Sequence, residues 1–186
     1  VVNAKVKDHN VLAFPEQPWS YHAATLYANH NSSFTFNSLS DLKQVTLGAI
    51  SGLKYDNGQL DEYIESYPEN ISFSYGNRAM ENQVLKLETY KTDVLVSCPL
   101  LMRGQLSFMD YPHDKFKVIG EVKAFVGMYL GCGKGRVRTE KFIGLINETI
   151  PKMRESGELQ KILDKYGQID WIGIHRELGR YTNEKF

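Results

Sequence analysis

The sequence predicts an α/β protein built on a largely parallel sheet that is covered on both faces. Two observations carry that expectation. From Leu42 to Leu130, short apolar runs with strand alternation take turns with segments whose apolar residues recur at helical spacing. Parallel strands joined by crossover helices produce that pattern. Within it, Val45, Leu47 and Ala49 alternate as a strand, the pattern breaks at Gly48, Ser51 and Gly52, and a helical segment follows. A strand that runs through a small-residue turn into a helix leaves main-chain N–H groups at the positive end of the helix dipole, with the Ser51 hydroxyl beside them. The stretch Asp41–Tyr55 is therefore either an ordinary strand-to-helix turn or a cradle for the polar end of a small molecule.

In chain order, residues 1–29 read as extended structure. Val11–Phe14 is a compact apolar run, and Trp19–Tyr27 is a longer strand after the loop Pro15–Pro18. Asn29–Ser40 is rich in Asn and Ser, as a linker or domain crossing would be. Leu60, Tyr63 and Ile64 then predict a helix that Tyr67-Pro68 ends. Ile71, Phe73 and Tyr75 predict a strand. Met80, Val84 and Leu87 predict a helix capped by Asn77. Val94–Val96 is a short buried strand, and Leu100–Met109 a helix stopped before Pro112. Phe116–Ile119 and Ala124–Leu130 are two further strands. After Gly131–Gly135, a helix capped by Thr139 carries Phe142, Leu145, Ile146, Ile150 and Met153 on one face, with Pro151 kinking it or weakening one of its turns. Ser156-Gly157 ends it, and Leu159, Ile162, Leu163 and Tyr166 make a shorter helix up to Gly167.

The totals exclude several classes. At 186 residues the chain is one large domain or two small lobes. Its 22 basic and 22 acidic residues balance, which leaves no footprint for nucleic acid or an anionic membrane. Eleven Tyr and nine Phe suit both cores and solute pockets. Cys98 and Cys132 are in no metal-ligand spacing; they either pair in an oxidising compartment or stay as thiols. His9, His22, His30, His113 and His175 show no zinc spacing, so no metal or cofactor is expected. No apolar run approaches the ~20 residues of a membrane span. Gly131-Cys-Gly-Lys-Gly135 lacks both the leading glycine and the following Ser or Thr of a phosphate loop, and reads as a flexible loop. Asp61-Glu62 reads as a solvated helix face, and nothing supplies a convincing acid/base pair.

The tail carries a resemblance. Phe142–Ile150 followed by Met153–Gly167 resembles the C-terminal helices of type II periplasmic solute-binding proteins of the polar-amino-acid-binding branch. Ser38–Lys43 with Val45–Tyr55 is similar to that family's entry into its second lobe, and Gln83–Val96 to its next helix and strand. The order and spacing of the three agree over roughly residues 3–167. The resemblance implies a periplasmic-binding-protein-like type II fold, in which two α/β lobes joined by hinge crossings close on a solute. Residues 1–30 would be part of lobe 1, 31–124 lobe 2, and 125–186 the hinge return and C-terminal helices of lobe 1. The crossings would lie near Tyr27–Phe34 and Lys123–Leu130. The βα units that open the family's first lobe are missing before Val1, so lobe 1 is expected to be incomplete at its N-terminus. The chain is then a fragment or a natural short form. The former is the expectation, because Val1–Ala4 falls inside the family's sheet. An uncovered half-lobe is expected to self-associate.

The resemblance also implies an extracytoplasmic, periplasmic protein, made with a signal peptide, that binds a small polar solute and hands it to the permease of an ABC transporter. It would not be an enzyme and would use no cofactor. A ligand-sensing or accessory domain is the alternative, and an enzyme on this fold, such as a dehydratase, a further one. The expected ligand contacts are Ser51 and Gly52 at the turn, Trp19 and Tyr55 as walls, and Lys7 and Cys98 at the charged ends. Both charged ends depart from the family. The window Lys5–Asn10 holds no Arg to clamp a carboxylate with a planar fork, although Lys7 or His9 could replace the charge. Cys98 stands where the family's ammonium-binding Asp falls. A standard α-amino acid is therefore not the expected solute.

Overall fold

The computed structural model describes residues 2–3, 11–18, 20–56, 58–166, 168 and 170. Eight strands and five α-helices succeed one another in chain order: β1 (Val2–Asn3), β2 (Leu12–Ala13), β3 (Ser20–Ala28), β4 (Leu47–Ile50), α1 (Gln59–Ser66), β5 (Ile71–Ser74), α2 (Ala79–Glu88), β6 (Val94–Ser97), α3 (Pro99–Phe108), β7 (Lys117–Tyr129), β8 (Cys132–Gly133), α4 (Val137–Glu155) and α5 (Glu158–Asp164). Short 3-10 turns cover Leu39–Gln44 and Pro68–Asn70. The chain divides into a unit of residues 1–22 and 125–186 and a second of residues 23–124. The unit boundaries fall inside strands β3 and β7, at 22/23 and 124/125.

The second unit holds strands in the order β7-β3-β6-β4-β5. β4 runs parallel to both β5 and β6, while β3 pairs antiparallel with β6 through Thr25↔Ser97 and Ala28↔Val94. The mixed sheet is buried on both faces because its strands alternate between two apolar clusters. Leu26, Leu47, Ala49, Val94 and Val96 pack with Leu42, Leu60 and Tyr63 on one side. Tyr27 and Leu95 pack with Val84, Leu87, Met102, Leu106 and Phe116 on the other. Helix α1 therefore covers one face, and α2 with α3 the opposite one. The crossover from β4 to β5 and the one from β5 back to β6 run in opposite directions across the sheet, which puts their helices on opposite faces.

One buried polar group fixes how α2 sits. The Gln83 side chain is fully buried, and its Nε2 donates to the main-chain oxygens of Ala49 at 2.7 Å and Ser72 at 2.6 Å. Gly48 makes room for it: a Cβ there would lie 2.4 Å from Gln83 Oε1. The small residue that breaks the strand pattern in the sequence is thus a packing requirement of the core.

Several elements differ from the sequence reading. Phe116–Ile119 and Ala124–Leu130 are one continuous strand, β7. Gly120 does not interrupt it but receives the Phe36 ring, whose Cδ1 would lie 2.4 Å from an added Cβ. Helix α2 begins after Arg78, not Asn77, and no side chain caps it. Helix α4 begins after Arg136. Thr139 lies inside its first turn, where its hydroxyl donates to Gly133 O at 2.7 Å. The helix continues through Pro151, and Gly157 (φ +75°) comes after its end in the left-handed conformation.

In the first unit, β1 pairs with the end of β7 through Val2↔Tyr129, and β2 pairs with β8. Asn147 Oδ1 accepts the Glu16 N–H at 3.0 Å, and Arg154 donates to Asp170 at 2.6 Å and to Gln17 at 3.0 Å, which ties α4 to its surroundings. Among the described residues no helix is long and apolar enough to cross a membrane.

Candidate functional site

The strand order of the second unit locates a site. The chain leaves β4 for β5 on one side and then crosses to β6 on the other, so the direction of winding reverses at β4. In open α/β sheets, ligands bind outside the carboxyl ends of the strands where this happens. Here those ends are Ser51–Gly52 after β4 and Cys98 after β6.

The turn Ile50–Leu53 is closed by Leu53 N–H donating to Ile50 O at 3.3 Å, with Gly52 at φ +77° in its third position. Ser51 N–H is already bonded to Ser74 O at 3.0 Å, as a one-residue extension of the β4–β5 ladder. The Ser51 side chain and the Gly52 main chain are exposed. The Ser74 hydroxyl, one strand away, is buried with no hydrogen-bond partner among the described residues.

No helix starts at this turn, contrary to the sequence reading. Helix α1 begins at Gln59, and its first N–H groups are already satisfied from within. The Asp56 carboxylate accepts from Gly58 at 2.8 Å, Leu60 at 3.1 Å and Asp61 at 3.2 Å. The dipole end that would attract an anion therefore faces a carboxylate of the chain itself. Asp61 is not on a solvated face either: it is 6% exposed, and Oδ1 accepts the Tyr55 N–H at 2.8 Å. Tyr55 is correspondingly a core brace and not a wall. It is 2% exposed, it packs among Leu47, Leu60 and Tyr63, and its Oη accepts the Ile50 N–H at 2.7 Å. Burial pushes its phenol up to about 12. Sequence reasoning passed over Asp56 and placed Asp61 in solvent. The signal was an Asp just ahead of a glycine and a helix, which is a capping pattern.

Cys98 stands as the cap residue at the start of α3, with Pro99 next to it in the first turn, and is 5% exposed. It is not joined to Cys132 in a disulfide. Burial, and after it the nearby Cys98 and Glu121, raise the Tyr27 phenol above its ordinary range. Ser51, Gly52 and Cys98 thus share the carboxyl end of the parallel strands, whereas Tyr55 lies inside the core. Lys7 and Trp19, with the rest of the window Lys5–Asn10, lie outside the described residues. Among the described residues no three His, Cys, Asp or Glu side chains cluster as a metal site.

No family model and no curated protein matches the sequence. Solved structures do. The second substrate-binding domain of a putative amino acid ABC transporter from Streptococcus pneumoniae matches with a TM-score of 0.61 at 20% identity, over 89% of this chain and 69% of that one. The chain has the type II solute-binding-protein fold. An ancestral cationic amino acid solute-binding protein matches with a TM-score of 0.64 at 12% identity, over 90% and 67% of the two chains. The L-cystine solute receptor of Neisseria gonorrhoeae in its unliganded open conformation gives 0.63 at 18%, over 90% and 65%. At these identities the likeness is one of fold, and the chain spans about two thirds of each matched structure.

Proposed function

We propose that the chain is the binding part of an extracytoplasmic, periplasmic solute-binding protein that takes up a small polar solute for the permease of an ABC transporter. The observation that carries this reading is the reversal of winding at β4, with an exposed Ser-Gly turn after β4 and the start of α3 after β6. The matched fold supports it. In a protein of this kind, ligand contacts favour the closed arrangement, and the closed shape is what the permease reads. Ser51 supplies a hydroxyl and the turn supplies main-chain polar groups. Cys98, a nearly buried thiol, offers no charge to an ammonium group, which points to a solute other than a standard α-amino acid. The exposed Val137, Phe142 and Leu145 on α4, at 86%, 49% and 51% exposure, support self-association through the first unit.

A thermal-shift screen of amino acids, sugar acids, polyamines and other small polar solutes tests the central claim. A ligand at a hundred times its Kd adds about 2.7 kcal/mol of stability, which reads as a clear rise in Tm. No response to any solute class would refute the proposal. With a ligand in hand, Ser51→Ala is expected to weaken it by roughly 0.5–1.5 kcal/mol, the net value of one hydrogen bond. Unchanged affinity would return the turn to plain chain reversal.

A further inference from the structure

A polar groove lies at the opposite end of the parallel strands from Ser51, wholly within the second unit. It has a volume of about 610 Å³ and is lined by Asn31, Ser33, Thr35, Gln44, Tyr90 and Asp93, among others. Three of its properties point to the same class of ligand. The side chains of Asn31, Ser33, Thr35 and Gln44 are exposed, and none hydrogen-bonds to another described residue. They present a mixture of donors and acceptors that the fold itself does not use.

Tyr90 has no packing reason to be where it is. It comes just after the end of α2 at φ +56°, where glycine is the least strained residue, and its N–H donates to Leu87 O at 3.3 Å. Its ring is nevertheless 65% exposed, beside the groove. A flat aromatic face standing next to unengaged amides and hydroxyls is what stacks on the apolar face of a sugar ring.

The charges exclude an anion. No Lys or Arg is among the lining residues, which include two carboxylates. Asp41 Oδ2 accepts the N–H groups of Asn37 and Ser38 at 2.9 and 2.8 Å, and Asp93 Oδ2 accepts that of Thr46 at 2.8 Å. The Ser38 side chain also bonds the Asp41 carboxylate, and a carboxylate has about four acceptor positions, so both can still accept from a hydroxyl. The main-chain donors already offset part of their charge, which makes them a better match for neutral hydroxyls than for a cation. The nearby ammonium of Lys117 is engaged with the main-chain oxygen of Ser32 at 2.6 Å.

We infer that this groove is a saccharide-binding site, separate from the Ser51 turn and independent of the transport reading. The polyhydroxyl ligand could be a free oligosaccharide or a stretch of a longer glycan. The test is a 1H–15N NMR titration of the full chain with maltotriose and with N,N′-diacetylchitobiose, alongside co-sedimentation with amylose and with chitin. Spermidine serves as the cationic control. Support is a saccharide that shifts the amide signals of residues 29–35, 44 and 90–93 and leaves those of Ser51–Leu53 in place. Binding to a polymer without binding to its free oligosaccharide supports the site and assigns it to glycan chains. Tyr90→Gly is expected to raise Tm by about 2–4 °C through relief of backbone strain, while weakening the saccharide about fivefold to tenfold. Gln44→Ala, at an exposed position, is expected to weaken it with Tm unchanged. Binding of spermidine but of no saccharide would overturn the inference. So would an affinity that survives both substitutions.

Discussion

Gly48 and Gln83 are a matched pair, and neither works without the other. The Gln83 amide bonds two main-chain oxygens, one on β4 and one on β5, and only the missing Cβ of Gly48 lets it reach them. Gly48→Ala is expected to cost about 1–3 kcal/mol, read as a lower urea midpoint, because the amide must withdraw inside a packed core. Tyr55→Phe separates bracing from ligand contact. It is expected to cost about 1 kcal/mol through the orphaned Ile50 N–H and to leave solute affinity unchanged. A loss of affinity with intact stability would make Tyr55 a wall after all. Asp56 has a comparable structural task. Asp56→Ala is expected to destabilise by about 1–2 kcal/mol through loss of the cap on α1, measured by thermal unfolding.

At the scale of elements, Glu88 ties the end of α2 to the segment after α3. Its carboxylate accepts from Tyr111 Oη at 2.8 Å and pairs with Lys115 Nζ at 2.8 Å. The Lys115 hydrogen bond, then that of Tyr111, holds its carboxyl below the usual value of 4.5. A depressed acid stabilises the fold fully above its unfolded pKa, and that contribution fades as the pH falls through the folded one. The wild type is therefore expected to exceed Glu88→Gln in Tm at pH 6, with the gap closing below about pH 4.5. A constant gap from pH 6 to pH 3 would assign the effect to packing. The helices and short strands were mostly legible, because apolar periodicity records which face each one buries. Their starts were less so. Asn77 and Thr139 are plausible caps by residue type, but capping depends on main-chain geometry one or two residues away. The two strands expected at 116–119 and 124–130 are one because strand continuity is set by pairing, which a polar interval leaves intact.

For the molecule as a whole, residues 23–124 form an uninterrupted segment with two apolar clusters and the strands β4, β5 and β6 entire. At about 100 residues the segment is of ordinary domain size. Expressed alone, it is expected to unfold cooperatively in urea with coincident far-UV CD and fluorescence transitions. Non-coincident transitions would show that its β3 and β7 strands need the residues that continue them into the first unit.

The sequence by itself determined the class of the protein: strand–helix alternation, balanced charge and a tail of amphipathic helices are read from periodicity and composition, which are local. It also singled out Ser51 and Gly52, since a small-residue turn can be read along the chain, while Cys98 was marked by the family resemblance alone. Only the tertiary structure decided what the neighbouring groups do. That Tyr55 braces Ile50, that Asp56 rather than a ligand meets the start of α1, and that Gly48 yields its space to Gln83 are contacts between residues whose proximity the fold creates. The same holds for the switch of winding at β4. It is a property of strand order, and strand order is fixed by which apolar faces find each other, not by any stretch of sequence read alone.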